Sequence, residues 1–377
     1  MRVAMVHSSF AVRGGAETYV RDLATALRAR GHEVEVFSRD TPGGEQTDHR
    51  VRERLSTRLG RRLPRLVRKV LVHLGDLVDP TGMGPRHLRP FAPDVVHVHN
   101  WQELGVIPVA RLAAAYPTCH SVHDHAICDP NNGRANLGRS RPLDALLGLR
   151  SRWIVRRLRR VRLLFAAERT RAEVRRCAGT TPPSEILPLA VPVAWHRLDW
   201  PAPRPDVFLF LGALTPHKGL DLLLDAWPAT TGATLLVAGD GPLRADVERL
   251  AATTPSVRYL GYVDGESKRE ALAAAGWLVF PSQGAETYGL VCAEALMAGR
   301  PLIASAVAEP PMASDTSMLV FRAPAELPGL LVRAARMSGA EHAVMAASAA
   351  ADGRRLDWDD HVDGVVRAYA VRAGVAA

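Results

Sequence analysis

Two carboxylates eight residues apart carry the most specific chemical signal in the chain. Glu286 and Glu294 lie within Pro281-Ser282-Gln283-Gly284-Ala285-Glu286-Thr287-Tyr288-Gly289-Leu290-Val291-Cys292-Ala293-Glu294-Ala295-Leu296-Met297-Ala298-Gly299. The apolar run before this segment reads as a strand, and the segment itself becomes helical near Gly289. A helix starting there leaves the N–H groups of Gly289, Leu290 and Val291 available to a diphosphate, and Gly289 permits close approach. Glu294, two turns along, can accept hydrogen bonds from a sugar or ribose diol, because an ionised glutamate is an acceptor only. Glu-x7-Glu by itself describes any helix with two exposed acids, so the specificity comes from the surrounding residues. Val122-His123-Asp124 also follows a strand, and His123 can donate to a sugar hydroxyl or a departing oxygen. With 14 histidines in the chain, and His120 and His125 close by, a structural role for His123 stays open.

These groups need a scaffold, and 377 residues are too many for one ordinary domain but suit two of about 150 to 200 residues. In the first half, residues 2–6, 34–37 and 94–98 read as strands. Residues 16–30 form a helix, with Val20, Leu23 and Leu27 at helical spacing and Gly31 at its C-terminal cap. Gly14-Gly15 lies in the loop between the first strand and that helix, where a Gly pair alone is an ordinary turn. Pro201-Ala202-Pro203-Arg204-Pro205 is the clearest linker, because three prolines in five residues continue neither a helix nor a central strand. Beyond it the rhythm restarts, with strands expected at residues 207–211, 234–238, 257–260, 277–280 and 302–305 and amphipathic helices between them. The expectation is two doubly wound parallel α/β domains facing across a cleft, with ligands at the carboxyl ends of the strands. Their expected bounds are 1–200 and 201–355, followed by a terminal helical segment, 356–377.

Composition narrows the function classes. Apolar residues make up 47% and charged residues 23%, a globular balance. No apolar run approaches the roughly 18 residues of a membrane span, so a cytoplasmic location is expected. Cys119, Cys128, Cys177 and Cys292 form no Cys-x-x-Cys pair, which points to reduced thiols and to no structural metal. Only Lys69, Lys218 and Lys268 are lysines among 48 basic residues, a bias typical of a GC-rich bacterial genome. The net charge of +9 favours anionic partners. Nine basic residues against the single acid Glu53 fall within residues 50–69, and Leu55, Leu59, Leu63, Val67 and Leu71 recur beside them every four residues. Such a segment suits peripheral contact with an anionic membrane or a phosphorylated lipid acceptor. A second basic cluster spans residues 150–162. A solvated helix face explains either cluster equally well.

Taken whole, residues 281–299 resemble the Glu-x7-Glu signature of glycosyltransferase family 4, the retaining GT-B family, and the resemblance extends over almost the entire chain. Gly212-Ala213-Leu214-Thr215-Pro216-His217-Lys218-Gly219 resembles the family's Gly-Arg-Leu…Lys-Gly loop, whose Arg and Lys hold the donor diphosphate. Lys218 matches, whereas Ala213 stands where Arg is usual. Gly14-Gly15 resembles the family's N-terminal Gly-Gly loop, and Val122-His123-Asp124 its His-Asp segment. Gly239-Asp240-Gly241-Pro242 is family-like as a turn. At Ala306-Val307-Ala308-Glu309 the usual Gly pair is missing, so no role passes to Glu309. Residues 358–372 resemble the terminal helix that returns to the N-domain.

The resemblance implies a retaining, metal-independent hexosyl transfer from a nucleoside-diphosphate sugar, with UDP favoured on family frequency, to a lipid-linked glycan, a polysaccharide or a small metabolite. The nucleotide sugar is a substrate, so no cofactor is expected, and neither is nucleic acid as a partner. Glu286, His123 and Lys218 would be catalytic; Gly14, Gly15, Lys218, Gly289, Leu290, Val291 and Glu294 would bind the donor. Glu286 would act as nucleophile or as a sugar-binding group. Metal independence follows from these protein groups, since Asp359-Asp360 does not offer a diphosphate-holding cation site. Three alternatives remain: a degenerate, non-catalytic binding module, a nucleotide-sugar epimerase on the same fold, and a dinucleotide oxidoreductase, which the lack of Gly-x-Gly-x-x-Gly after any strand disfavours.

Overall fold

The computed structural model describes residues 1–9, 14–39, 47–130, 141–192, 195, 198–227, 232–308 and 310–373; Glu309 lies outside them. The chain divides into two compact units, one built from residues up to 188 together with residues from 359 onward, the other from residues 189–358.

The first unit runs β1 (Arg2–His7), α1 (Gly15–Ala29), β2 (Glu33–Arg39), β3 (His49–Val51), α2 (Leu55–Gly60), α3 (Arg65–Val78), α4 (Pro85–Leu88), β4 (Val95–Val98), α5 (Val106–Ala115), β5 (Thr118–Val122), α6 (Arg141–Arg157), β6 (Val161–Phe165), α7 (Glu168–Ala178) and β7 (Ser184–Ile186). Its sheet has the order β3-β2-β1-β4-β5-β6-β7, with every described pairing parallel. The Val- and Leu-rich central strands are buried on both faces, as a parallel sheet covered by helices requires. Val3, Ala4, Val6, Val96 and Val98 are inaccessible to solvent.

The second unit runs β8 (Val207–Leu211), α8 (Leu220–Ala226), β9 (Thr234–Ala238), α9 (Arg244–Thr253), β10 (Val257–Gly261), α10 (Gly265–Ala274), β11 (Trp277–Phe280), α11 (Leu290–Met297), β12 (Leu302–Ser305), β13 (Met318–Phe321), α12 (Leu327–Ala335) and α13 (Gly339–Arg354). Its all-parallel sheet has the order β10-β9-β8-β11-β12-β13. Alternation along β8 fills both faces: Phe208 and Phe210 join Trp227, Trp277 and Leu235 on one side, while Val207 and Leu209 join Leu278, Leu296 and Leu302 on the other. Each fully buried side chain of this kind contributes roughly 1.5–3 kcal/mol. Both sheets reverse strand order beside their first strand, at β1/β4 and β8/β11, and in open α/β sheets such switch points open crevices at the carboxyl ends.

The final helix, α14 (Trp358–Ala373), contributes Val362, Val365, Ala368 and Tyr369 to the first unit's interior. There the Tyr369 hydroxyl lies 2.6 Å from His97 Nδ1, and His361 bridges the Tyr19 hydroxyl at 2.8 Å and the Pro188 carbonyl at 2.7 Å.

Residues 50–78 depart in register from the sequence expectation. Pro64 ends one helical phase and opens another, so the four-residue repeat does not continue as one stripe. On α3 the exposed apolar residues are Leu66, Val67, Val70, Leu74 and Val78, preceded by Leu55, Leu59 and Leu63, whereas Leu71 is half-buried. Arg58, Arg61, Arg62, Arg65, Arg68 and Lys69 are exposed around them. The base of this helical pair is fixed by a buried Arg54–Asp76 ion pair at 2.8 Å and by Asp79, which accepts the Ser56 N–H at 2.8 Å.

Candidate active site

The sugar-chemistry candidates of the second unit sit at the carboxyl ends of the two strands that flank its switch point. After β8 the chain makes a 3-10 turn, Pro216–Lys218, and leaves it through Gly219 at φ 70°. A Cβ on Gly219 would stand 1.8 Å from the Pro281 carbonyl oxygen, so only glycine lets the Lys218 loop lie against the loop after β11. Gln283 fastens the two loops together. Its N–H donates to the His217 carbonyl at 2.9 Å, and its side-chain amide donates to the Pro216 carbonyl and to Asp221 Oδ1, each at 2.9 Å.

That fastening brings together two residues 68 positions apart. Lys218 Nζ donates to Glu286 Oε1 at 2.7 Å, and Ser282 Oγ donates to the same oxygen at 2.7 Å. Burial alone would raise the Glu286 carboxyl, but the Lys218 ammonium and the Ser282 hydroxyl outweigh it and hold the group below its ordinary range. Glu286 is therefore anionic at neutral pH and can bind a sugar hydroxyl or approach an electrophilic carbon.

Gly289, at φ 85°, turns the chain into α11. The first amides bonded back are those of Cys292 and Ala293, both reaching the Gly289 carbonyl. The amides of Gly289, Leu290 and Val291 thus head the helix without intrahelical acceptors, an arrangement suited to anionic oxygens. Glu294, one turn further, is buried, and Lys268 Nζ of α10 donates to its Oε1 at 2.6 Å. Burial pushes its carboxyl up, while Lys268 opposes that rise. Tyr288, between the two acids, is packed inside and donates its hydroxyl to the Leu189 carbonyl at 2.7 Å.

The first unit holds the other candidates. Gly14 caps α1, accepting no special backbone angle (φ −120°), and its N–H donates to Glu17 Oε2 at 3.1 Å; Gly15 begins the helix. His123 follows β5, with its Nε2 3.4 Å from His99 Nδ1 and its ring edge-on to Tyr19. Burial, reinforced by neighbouring histidines, holds its imidazole down to about 3. His123 is accordingly neutral at physiological pH and offers one N–H. Burial likewise lifts the adjacent Asp124 to about 6. Behind His123 the network continues through His99 and His97, whose rings lie 3.9 Å apart between centroids.

The structure thus groups Lys218, Glu286, Glu294 and residues 289–291 in one unit, and Gly14, Gly15 and His123 in the other. Sequence reading overlooked Ser282 and Lys268, whose partners lie 4 and 26 residues away. It also passed over the one Asp-x-Asp spacing in the chain, Asp357-Trp358-Asp359. There Asp359 is paired with Arg30 at 2.6 Å at the start of α14. Cys128, Glu173 and Cys177 bring possible metal-ligand atoms within 4.8 Å of one another, but both Glu173 oxygens accept from Arg176 at 2.9 Å.

Comparison with known proteins places these features in a family. A family model described as Glycosyltransferase Family 4 matches residues 13–195, and one described as Glycosyl transferases group 1 matches residues 205–336. The chain is 27% identical to a phosphatidyl-myo-inositol mannosyltransferase of Mycobacterium tuberculosis over 404 aligned positions, covering 100% of this chain and 98% of that protein. Among solved structures it resembles sucrose-phosphate synthase from Thermosynechococcus elongatus, with a TM-score of 0.72, 19% identity and 98% of each chain covered. It also resembles Anabaena Alr3699/HepE in complex with UDP and glucose, with a TM-score of 0.67, 17% identity and coverage of 97% and 98%. With two family models spanning most of its length and two doubly wound parallel sheets, the chain belongs to glycosyltransferase family 4 and is a glycosyltransferase of the GT-B fold.

Proposed function

We propose that the enzyme transfers a hexosyl group, with retention of configuration and without a metal ion, from a nucleoside-diphosphate sugar, UDP being the favoured nucleotide, to an acceptor at an anionic membrane surface. The observation that carries the donor reading is the convergence of Lys218, Glu286 and the amides of residues 289–291 at one sheet switch point. Solved relatives with UDP or UDP-glucose bound support the choice of nucleotide.

In this reading Glu294 accepts from the ribose diol, while Lys218 and the amides of α11 receive the negative charge that grows on the β-phosphate as its bond to the anomeric carbon breaks. That electrostatic contribution is the largest one available to the site. The acceptor oxygen bonds to the anomeric carbon on the face the diphosphate leaves, and its proton passes to the departing phosphate oxygen. Glu286 binds the sugar rather than forming a covalent bond, consistent with its engagement by Lys218 and Ser282. Within the first unit, neutral His123 offers one N–H suited to a sugar hydroxyl, the role the family resemblance gives it. Protein cations and amides replace the metal.

The exposed apolar and basic residues of α2 and α3 support the membrane contact, as does the name of the mycobacterial relative, a mannosyltransferase of phosphatidyl-myo-inositol. Among the described residues no helix is long and apolar enough to cross a membrane, and the contact proposed is a peripheral one through α2 and α3. The donor reading is tested by thermal denaturation with UDP, GDP and their hexose conjugates. A true donor at about 100 times its dissociation constant adds roughly 2.7 kcal/mol, and it should release nucleoside diphosphate on turnover. Absence of both effects across the panel would overturn the donor reading.

A further inference from the structure

The chain keeps only three lysines among its 48 basic residues, and two of them engage the two signature glutamates. Lys218 is accounted for by the donor loop. Lys268 belongs to no recognised motif, yet its ammonium lies 2.6 Å from Glu294 Oε1 and 5.3 Å from the centroid of the Trp195 ring. We propose that Lys268 is a positioning residue for nucleotide binding: it fixes one oxygen of the Glu294 carboxylate and so presents the other to the ribose diol. This rests on the assignment of Glu294 to the ribose.

Geometry gives the ammonium that task. Glu294 sits on the inner side of α11, which packs against β11, β12 and α13. The two strands carry no charged residue. On α13, Glu341 caps its own helix at Ser338, His342 contacts the Gly276 carbonyl, and Asp352 accepts from Ser314 and Ser317, while Arg354 lies on the last turn. None of these acts on Glu294; burial and Lys268 do. An acceptor-only carboxylate in such surroundings needs a fixed counter-charge to stay ionised and oriented.

The experiment measures UDP and GDP affinity by calorimetry from pH 5.5 to 8.5 for the wild type, Lys268→Met, Lys268→Arg and Glu294→Gln. The wild type should bind with little pH dependence above pH 6. Lys268→Met should bind at least tenfold more weakly at pH 6, recovering as pH rises because the unsupported Glu294 then ionises. Lys268→Arg should keep the flat profile, and Glu294→Gln should be weak and flat. Lys268→Met affinity and pH profile equal to wild type would overturn the inference alone. Wild-type binding that Glu294→Gln leaves intact would remove the ribose assignment, and the inference with it. If Lys268→Met does not fold, Lys268→Gln takes its place: weakened binding at pH 6 that recovers as pH rises supports the proposal, and a wild-type profile overturns it.

Discussion

Lys218→Ala is the most informative perturbation of the donor site, because it removes a charge that serves both stability and turnover. Side-chain exposures of 31% for Lys218 and 12% for Glu286 place their ion pair between two known regimes. Exposed pairs contribute about 0–1 kcal/mol, and breaking a buried pair costs about 3–5 kcal/mol. A loss of about 2 kcal/mol at pH 7 is expected, equivalent to roughly 4–8 °C in the unfolding midpoint of a unit of this size. The pH dependence has a definite sign. In the wild type, Glu286 is held below its ordinary range, so its stabilising contribution is present above the unfolded carboxylate value and fades as pH falls through the folded one. Without Lys218 burial acts with less opposition, Glu286 rises, and the variant is relieved by protonation. The difference in midpoint between variant and wild type should therefore narrow from pH 7 toward pH 4. Turnover should fall on the order of 10² to 10³, the scale for one lost charge-stabilising donor. Calorimetric scans at several pH values and steady-state kinetics read both quantities. Activity within about threefold of wild type, together with a pH-independent midpoint difference, would show that the diphosphate site lies elsewhere.

Restoring the family residue in Ala213→Arg should tighten donor binding and recover part of the activity lost in Lys218→Ala, whereas Lys218→Arg should lose most turnover; double-variant kinetics read both. Glu294→Gln should chiefly weaken nucleoside-diphosphate affinity and Glu286→Gln chiefly lower turnover, and equal affinity losses would show their roles misassigned. Transfer should continue at near its normal rate in excess EDTA, and a Mg²⁺ or Mn²⁺ requirement in the chemical step would defeat the metal-independent reading. The enzyme should float with anionic but not neutral liposomes, less so at high salt, and Leu66→Ser with Leu74→Ser should abolish flotation; equal flotation with neutral vesicles would refute an anionic docking face.

Most of the second unit could be read from its sequence because its central strands are short, largely apolar runs between turn signals. β8, β9, β11 and β12 fall on the same residues as expected. The first unit was less transparent. β3 and β7 are three-residue edge strands, and Arg162 interrupts the apolar run of β6, so neither length nor pattern announced them. The site divided in a similar way. Glu286, Glu294 and residues 289–291 form one local segment whose types and spacing are specific. Lys268 and Ser282 take on meaning only when loops far apart in sequence are brought together, and nothing near Lys268 hinted at a carboxylate 26 residues on. The leucine repeat misled at Leu71 because a proline within it resets helical phase.

The return of α14 to the first unit has a consequence for biosynthesis. Val362, Val365, Ala368 and Tyr369 fill that unit's interior, and Tyr369 and His361 close its polar network. The first-synthesised unit must therefore wait for the last helix, while the second has all of its residues by 358. At about 5–20 residues per second the interval between residues 188 and 359 lasts roughly 10–30 s. On the ribosome the usual order is inverted. The downstream unit can finish folding first, and during the wait the upstream one displays unfilled apolar surface, the species on which a nascent-chain chaperone would act.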